Sequence, residues 1–320
     1  MEMVPKKRLM LYSGRAHPAL ADAIAKDLGV ALGNPNLKEF ANGEIWCQYD
    51  ESVRGSDVFI VQTHGNPVNE SIVEQCIMID AAKRASAKRV TAVVPYYGYA
   101  RQDRKAEGRE PITAKLVADM LTVAGANRVL SVDLHSGQIQ GFFDVPVDHL
   151  TAMPVLVDYL ANSGPKDPMI VAPDAGRMKV AERFAQHLDA DPAGVYKKRA
   201  RGVAQARGVM GEVTGRHCVL IDDMIDTAGT IVAAADILME GGATEVWAMA
   251  THGVLSDPAT DRLKNSAITR VVVTDSLPLP AEKRIDKIEV LSVAGIIADA
   301  IDAVFEDTSV SEIFGGENQS

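Results

Sequence analysis

Two kinds of segment alternate along the chain: short, uninterrupted apolar runs, and stretches whose apolar residues recur every three or four positions. An apolar run without a polar face is the pattern of a strand covered on both sides in a parallel sheet. It predicts strands at Arg8–Tyr12, Asp57–Gln62, Arg89–Val94, Arg128–Asp133, Met169–Ala172, Cys218–Ile221, Glu245–Ala250 and Arg270–Thr274. The three-to-four spacing predicts a helix from His17–Pro18 with Leu20, Ile24 and Leu28 facing the core. It predicts another after Thr113 with Leu116, Met120 and Ala124 on one face. A third opens at Ser256-Asp257-Pro258, a cap followed by a proline in the first turn. Strands alternating with helices predict a doubly wound α/β fold with right-handed crossovers.

The two halves resemble one another. A shift of 117 residues sets Ala118–His135 on Ala235–His252, with seven of eighteen positions identical and no gap. Both segments read as helix, Gly-Ala turn, strand. We read this as internal duplication, the alternative being two similar local units that match by chance. At 320 residues the chain suits two tandem domains. The expected boundary lies near Thr151–Lys166, where a helical stretch leads into Asn162-Ser163-Gly164-Pro165. Residues 1–155 form the first domain in this reading, and 156–320 the second, with the C-terminal helix and tail.

Composition narrows the function. The 33 basic residues are outnumbered by 43 acidic ones, for a net charge of −10, which opposes general binding to nucleic acid. Cys47, Cys76 and Cys218 have no paired spacing, which argues against a disulfide framework or a zinc site and fits a reducing cytoplasm. No apolar run reaches the roughly 20 residues of a membrane span, and Leu9–Tyr12 is too short for a signal segment.

The strongest chemical signal is Val219–Thr230, VLIDDMIDTAGT. An apolar strand leads to Asp222 and Asp223, then through Asp226, Thr227, Ala228, Gly229 and Thr230 into a helix. Ligands in open α/β sheets sit at the carboxyl ends of strands, and small residues let backbone N–H groups approach a phosphate there. The two acids would repel that phosphate unless they serve a sugar's vicinal hydroxyls or a divalent cation. A ribose 5-phosphate site satisfies both halves of the motif. A helix capped by Asp226 or Thr227 would explain the loop but not the acid pair. The 117-residue shift sets Thr113 on Thr230 and Arg109-Glu110-Pro111-Ile112 opposite Asp226–Gly229. In this reading the N-terminal copy has lost its phosphate loop, since proline removes a donor.

With these residues in view, the chain resembles the ribose-phosphate diphosphokinases. DLHSGQIQGFFDVPVD (Asp133–Asp148) is similar to that family's signature, and FANGE (Phe40–Glu44) to its adenine-side hairpin. YARQDRK (Tyr99–Lys105) and GREPITAKL (Gly108–Leu116) match its ATP region, VYKKR (Val195–Arg199) the start of its catalytic loop, and SVSEIF (Ser309–Phe314) its C-terminal end. The resemblance departs most at Ala200–Val213, which lacks a Pro-rich acidic filling.

The resemblance implies two domains of type I phosphoribosyltransferase-like fold. It implies transfer of the diphosphoryl group of ATP to the C1 hydroxyl of ribose 5-phosphate, with release of AMP. Lys197 and Arg199 are then the catalytic cations, Arg199 also reaching the ribose 5-phosphate held by Asp222, Asp223 and Asp226–Thr230. Phe40, Asn42, Gly43, Glu44, Arg101, Gln102, Asp103 and His135 are the ATP contacts. His135 and Asp174 are the metal contacts for Mg2+, with Asp174 the better direct ligand because magnesium prefers oxygen. The resemblance also implies a homo-oligomer, a hexamer in which one chain's FANGE completes another's site, activated by phosphate and inhibited by ADP through residues near Ser309–Ser311. The competing readings are a phosphoribosyltransferase that consumes the diphosphate, and a non-catalytic regulatory homologue. His17, His64, His149, His187 and His217 show no ligand spacing and receive no role.

Overall fold

Leu9-Met10-Leu11-Tyr12-Ser13 is too apolar to leave either face in water. It forms the first strand, buried but for its leading residue. The structure, a computed structural model, describes residues 7–198 and 206–314. After β1 (Leu9–Ser13) come α1 (Pro18–Leu28), β2 (Leu32–Gly33), and a hairpin of β3 (Lys38–Glu39) and β4 (Ile45–Trp46). Then follow β5 (Asp57–Val61), α2 (Val68–Arg84), β6 (Arg89–Val94), α3 (Thr113–Ala124), β7 (Arg128–Val132) and β8 (Val147–Leu150). The chain continues through α4 (Met153–Ser163), β9 (Pro168–Ala172), α5 (Met178–Leu188), a hairpin of β10 (Asp191–Lys198) and β11 (Ala206–Met210), β12 (His217–Ile225) and α6 (Gly229–Glu240). It ends with β13 (Glu245–Gly253), α7 (Ala259–Lys264), β14 (Ile268–Thr274), β15 (Ile288–Leu291) and α8 (Ala294–Phe305).

These elements form two compact units. The first holds the chain through Thr151, Ser276–Pro278 and the segment from Val293; the second holds Ala152–Asp275 and Leu279–Ser292. The first sheet runs β2-β1-β5-β6-β7-β8 and is parallel throughout. The second runs β11-β10-β9-β12-β13-β14-β15, with only β11 antiparallel. Apart from β11 the winding order is the same in both: second strand, first, third, fourth, fifth, sixth.

Helices α4 and α8 follow the last strand of each series but pack in the opposite unit. α8 lies on α1, and α4 on α5. The sequence reading assigned residues 156–320 to the second domain together with the C-terminal helix. The structure places α8 with the first unit, because the apolar face of α8 (Ile297, Ala298, Ile301, Val304) is buried there. Linear order carries no signal of that return.

Why the strands show no alternation is plain in the second sheet. Met169, Val171, Cys218, Leu220, Val246 and Ala248 enter the core on one face. Ile170, Ala172, Val219, Ile221, Trp247 and Met249 enter the core on the other. Each fully buried aliphatic side chain contributes about 1.5–3 kcal/mol relative to exposure.

Some expectations are corrected. α3 buries Ala114, Val117, Ala118 and Leu121, while Leu116 points outward at 56% exposure, with Met120 and Ala124 at the rim. The small alanines let the helix lie close to the sheet, so the bulkier row is not the inner one. Pro258 caps α7 rather than opening its first turn. β12 continues to Ile225, so Asp222 and Asp223 lie inside a strand. Val195–Lys198 belong to β10, paired with β11 from Gly194↔Met210 to Lys198↔Ala206, and not to a loop.

The 117-residue register is also corrected. It equates α3 and β7 with α6 and β13. By winding order α6 follows the third strand of its unit, and its counterpart is α2; α3 follows the fourth strand, as α7 does. The shared signal is a common helix exit. Gly125 (φ 128°) and Gly242 (φ 91°) turn the chain so that Ala126 N and Ala243 N return to the carbonyls of Leu121 and Leu238. The counterpart of the Asp226–Ala228 loop is therefore the segment after β5, Gln62–Pro67, and not Arg109–Ile112.

Candidate functional site

β12 outruns its neighbour β9. Their pairing ends at Leu220↔Val171, while β12 goes on beside β13 to Ile225↔Gly253. The chain leaving β9 turns at Asp174, whose Oδ1 accepts the N–H of Gly176 at 2.8 Å. This turn delivers Arg177 to the exposed end of β12. Arg177 Nε donates to Asp222 Oδ1 at 3.0 Å, and its Nη2 pairs with Asp223 Oδ1. Asp223 N also donates to Asp222 Oδ1, at 2.9 Å. Burial and the adjoining Asp223 carboxyl raise the Asp222 pKa above the usual carboxylate range, and Arg177 opposes that rise. Both acids face a polar, partly open edge, their side chains 18% and 8% exposed.

Beyond β12 the chain enters α6 through Ala228, in the left-handed region at φ 60° and buried. That conformation is costly for a residue with a Cβ. No side chain caps this helix, so neither Asp226 nor Thr227 is its cap. Thr227, Gly229 and Thr230 are exposed, and Arg262 Nη1 holds the Thr227 carbonyl at 2.9 Å. A helix start with its first amides turned outward and glycine as its first residue is suited to an anion. The acids and this helix start share the carboxyl edge of the second sheet.

The backbone of Lys197 lies near the end of β10, beside β9 and past their last pair, Gly194↔Ala172. Its side chain, and Arg199 entirely, lie outside the described residues.

The ATP candidates all belong to the first unit. FANGE is the turn of the β3–β4 hairpin: Phe40 N donates to the Glu44 carbonyl and Gly43 N to that of Phe40, both at 2.8 Å, with Gly43 at φ 85°. Phe40 stands 55% exposed, while Asn42 Oδ1 accepts the Glu44 N–H at 3.2 Å. Arg15 ties the hairpin down, reaching Glu39 at 3.2 Å as well as the buried Glu74. Arg101 and Gln102 are exposed after β6, and Thr113 Oγ1 donates to Gln102 Oε1 at 2.6 Å. Asp103 is buried. Its Oδ2 accepts from Ser136 Oγ at 2.6 Å and Gln138 Nε2 at 2.9 Å, joining the loop after β6 to the segment after β7. His135 lies three residues past β7 and is half-buried.

Two histidines without an assigned role hold these loops. His149 Nε2 accepts the N–H of Leu134 at 2.9 Å, beside His135. His64 Nδ1 accepts the N–H of Gly98 at 3.1 Å, and its Nε2 faces Gln75 Oε1 at 2.8 Å; burial lowers its pKa to about 4. Neither has a signal in linear spacing. Arg177 was also missed, although it stands three residues after Asp174.

The first unit's counterpart of the Asp226–Ala228 loop has several of its polar groups engaged by the protein itself. Thr63 Oγ1 donates to the Ser276 carbonyl at 2.7 Å, and Pro67, with no N–H, is the cap of α2. The amides of Arg15 and Ala16, after β1, are taken by Glu74 Oε1 at 2.6 Å and Gln62 Oε1 at 3.1 Å. These contacts border a cavity of about 220 Å³ whose wall includes Arg15, Ala16, Gln62, Gly65, Pro67 and Glu74.

Among the described residues no group of three or more His, Cys, Asp or Glu side chains is placed to hold a metal alone. Asp174, with one oxygen on Gly176, and the Asp222–Asp223 pair supply oxygen donors. That fits a magnesium ion whose shell is completed by water and substrate phosphates. No helix among the described residues is long and apolar enough to cross a membrane.

Comparison with known proteins agrees along the chain. Residues 9–125 match the profile described as the N-terminal domain of ribose phosphate pyrophosphokinase, and residues 202–315 that of the phosphoribosyl synthetase-associated domain. The chain is 55% identical over 313 residues to a ribose-phosphate pyrophosphokinase of Streptomyces avermitilis, covering 97% of each chain. It is 54% identical to one from Bifidobacterium longum, over 98% of this chain and 94% of that one. The crystal structure of phosphoribosylpyrophosphate synthetase from Mycobacterium smegmatis matches with a TM-score of 0.90 at 51% identity, over 94% of this chain and all of that one.

Proposed function

The chain belongs to the ribose-phosphate pyrophosphokinase family, and from that premise we propose which residues carry each part of the reaction. The protein makes 5-phospho-α-D-ribose 1-diphosphate from ribose 5-phosphate and ATP, and AMP leaves. A transferase that consumes this diphosphate needs one loop-bearing domain, whereas the match spans both units. The observation that carries the residue assignment is the paired acids of β12 standing beside an uncapped helix start.

In this reading Asp222 and Asp223 accept hydrogen bonds from the pentose diol. The amides of Thr227–Thr230 and the start of α6 hold the 5-phosphate, with Asp226 and Ala228 shaping the turn. That leaves the C1 hydroxyl presented for in-line attack on the β-phosphorus of ATP, where positioning and charge stabilisation supply the rate. Lys197 and Arg199 stabilise the charge that develops on the transferring group. Magnesium, when bound, offsets the phosphate charge, and Asp174 is its best protein oxygen, with His135 as a further contact.

Phe40 stacks on the adenine while Asn42, Gly43 and Glu44 meet its edge, and Arg101 and Gln102 reach the nucleotide. The exposure of Phe40 supports a hairpin that is completed in a neighbouring subunit of a homo-oligomer, with a hexamer as the expected assembly. Phosphate activation and ADP inhibition near Ser309–Ser311, and a cytoplasmic location, belong to the same proposal.

The test is a coupled assay of AMP and phosphoribosyl diphosphate with magnesium and phosphate titrated separately. Wild-type chain alone is expected to turn over and to require magnesium. Gly229→Val, which adds bulk at the first residue of α6 against Arg262 and Thr227, is expected to raise the ribose 5-phosphate KM at least tenfold. Full affinity in that variant would remove the phosphate assignment. No turnover by the wild type would favour the non-catalytic regulatory homologue.

A further inference from the structure

We propose that Arg177 is a positioning residue, which clasps Asp222 and Asp223 together and so sets the pentose specificity of the site. The inference rests on the reading of those two acids as contacts of the ribose diol. Two neighbouring carboxylates in a half-buried setting repel one another, and left alone they splay apart. Arg177 holds them together. Its Nε meets one carboxylate at 3.0 Å and its Nη2 the other, so a single planar fork fixes the spacing of the two. The pair is shielded, since the Arg177 side chain is 18% exposed and those of the acids 18% and 8%. Both bonds take Oδ1 atoms, and Asp223 N adds a third tie to Asp222 Oδ1. The carboxylates therefore meet a ligand as a preset pair rather than as two free rotors.

The fold explains why the residue comes from this turn. β12 projects beyond β9 with β13 on its other side, and the chain leaving β9 turns back along the side that β9 leaves open. A vicinal diol of fixed spacing is the ligand such a pair recognises, which selects a pentose phosphate with adjacent hydroxyls over one lacking either. A guanidinium is required because an ammonium presents a point charge and cannot span two carboxylates with two fixed bonds.

The test uses the full-length protein and steady-state kinetics, with ribose 5-phosphate and ATP varied separately. Arg177→Gln is expected to raise the ribose 5-phosphate KM at least tenfold while the ATP KM stays within twofold. Arg177→Lys should recover part of that loss. The KM ratio of 2-deoxyribose 5-phosphate to ribose 5-phosphate should fall at least threefold in Arg177→Gln, a change that general loosening of the fold does not produce. Asp222→Asn serves as the control. If Asp222→Asn raises the ribose 5-phosphate KM and Arg177→Gln leaves it within twofold of wild type, the role of Arg177 is overturned. If neither variant moves that KM, the reading of the acids as diol contacts fails, and this proposal with it. Should Arg177→Gln not fold by circular dichroism, Arg177→Lys decides: a KM equal to wild type overturns the proposal, and a selective rise of threefold or more supports it.

Discussion

Removing the Asp103 carboxylate separates two uses of the Arg101-Gln102-Asp103 segment. Family resemblance makes Asp103 an ATP contact, but the structure gives it internal work. It is 9% exposed and accepts hydrogen bonds from Ser136 Oγ at 2.6 Å and Gln138 Nε2 at 2.9 Å. Hydrogen bonds to a charged acceptor contribute roughly 1.5–3 kcal/mol each. Ser136 is half-buried and Gln138 exposed, so both donors can turn to water once the acceptor is gone. The net cost of Asp103→Ala then comes to about 2–4 kcal/mol. A domain of this size loses about 2–4 °C in Tm per kcal/mol, which predicts a fall of roughly 4–16 °C. Thermal melting followed by circular dichroism, without ligand, measures it; Asp103→Asn should recover about half, since its amide oxygen can take the place of Oδ2 and accept both bonds without the charge. ATP KM measured at 25 °C on the same variants completes the comparison. A Tm loss below 2 °C together with a tenfold rise in ATP KM would refute the argument and return Asp103 to the nucleotide.

Two further outcomes follow from the site and the core. Lys197→Ala is expected to lower kcat by about 10²–10³ while the ATP KM changes less than threefold, as an interaction made mainly in the transition state requires; a kcat near wild type would remove Lys197 from the chemistry. His64 is held neutral by burial, its pKa lowered to about 4 from an ordinary 6.5. The unfolded chain therefore binds the proton first, so the stability His64 confers is complete above pH 6.5 and is lost as the pH falls toward 4. Between pH 7 and pH 5 the loss is about 2 kcal/mol. Urea midpoints of wild type and His64→Gln at the two pH values should differ in slope by that amount, and parallel profiles would show that His64 is not the responsible group.

Legibility in the sequence followed the locality of the cause. Arg89–Val94 could be read to the residue because its apolar run is limited by its own composition. The acids and small residues of Val219–Thr230 stand in one stretch, so their juxtaposition needs no fold to be noticed. Arg177 was not legible as a partner of Asp222, 45 positions away, because only the pairing of β9 with β12 makes them neighbours. The buried face of α3 was not legible for a related reason. Leu116, Met120 and Ala124 form as regular a row as Ala114, Val117, Ala118 and Leu121. Which row is buried depends on how closely the sheet allows the helix to approach.

The apolar, non-alternating runs by themselves pointed to sheets covered on both faces, because strands apolar on both sides must be removed from water on both. The small-residue loop after paired acids by itself pointed to a sugar-phosphate site, because the required chemistry is contiguous. Tertiary structure alone decided that α8 packs with the first unit, and that the phosphate loop's counterpart follows β5. It alone decided that Arg177 clasps Asp222 and Asp223. Each of these depends on which strand lies beside which, and strand order is settled by packing over distances that no local pattern spans.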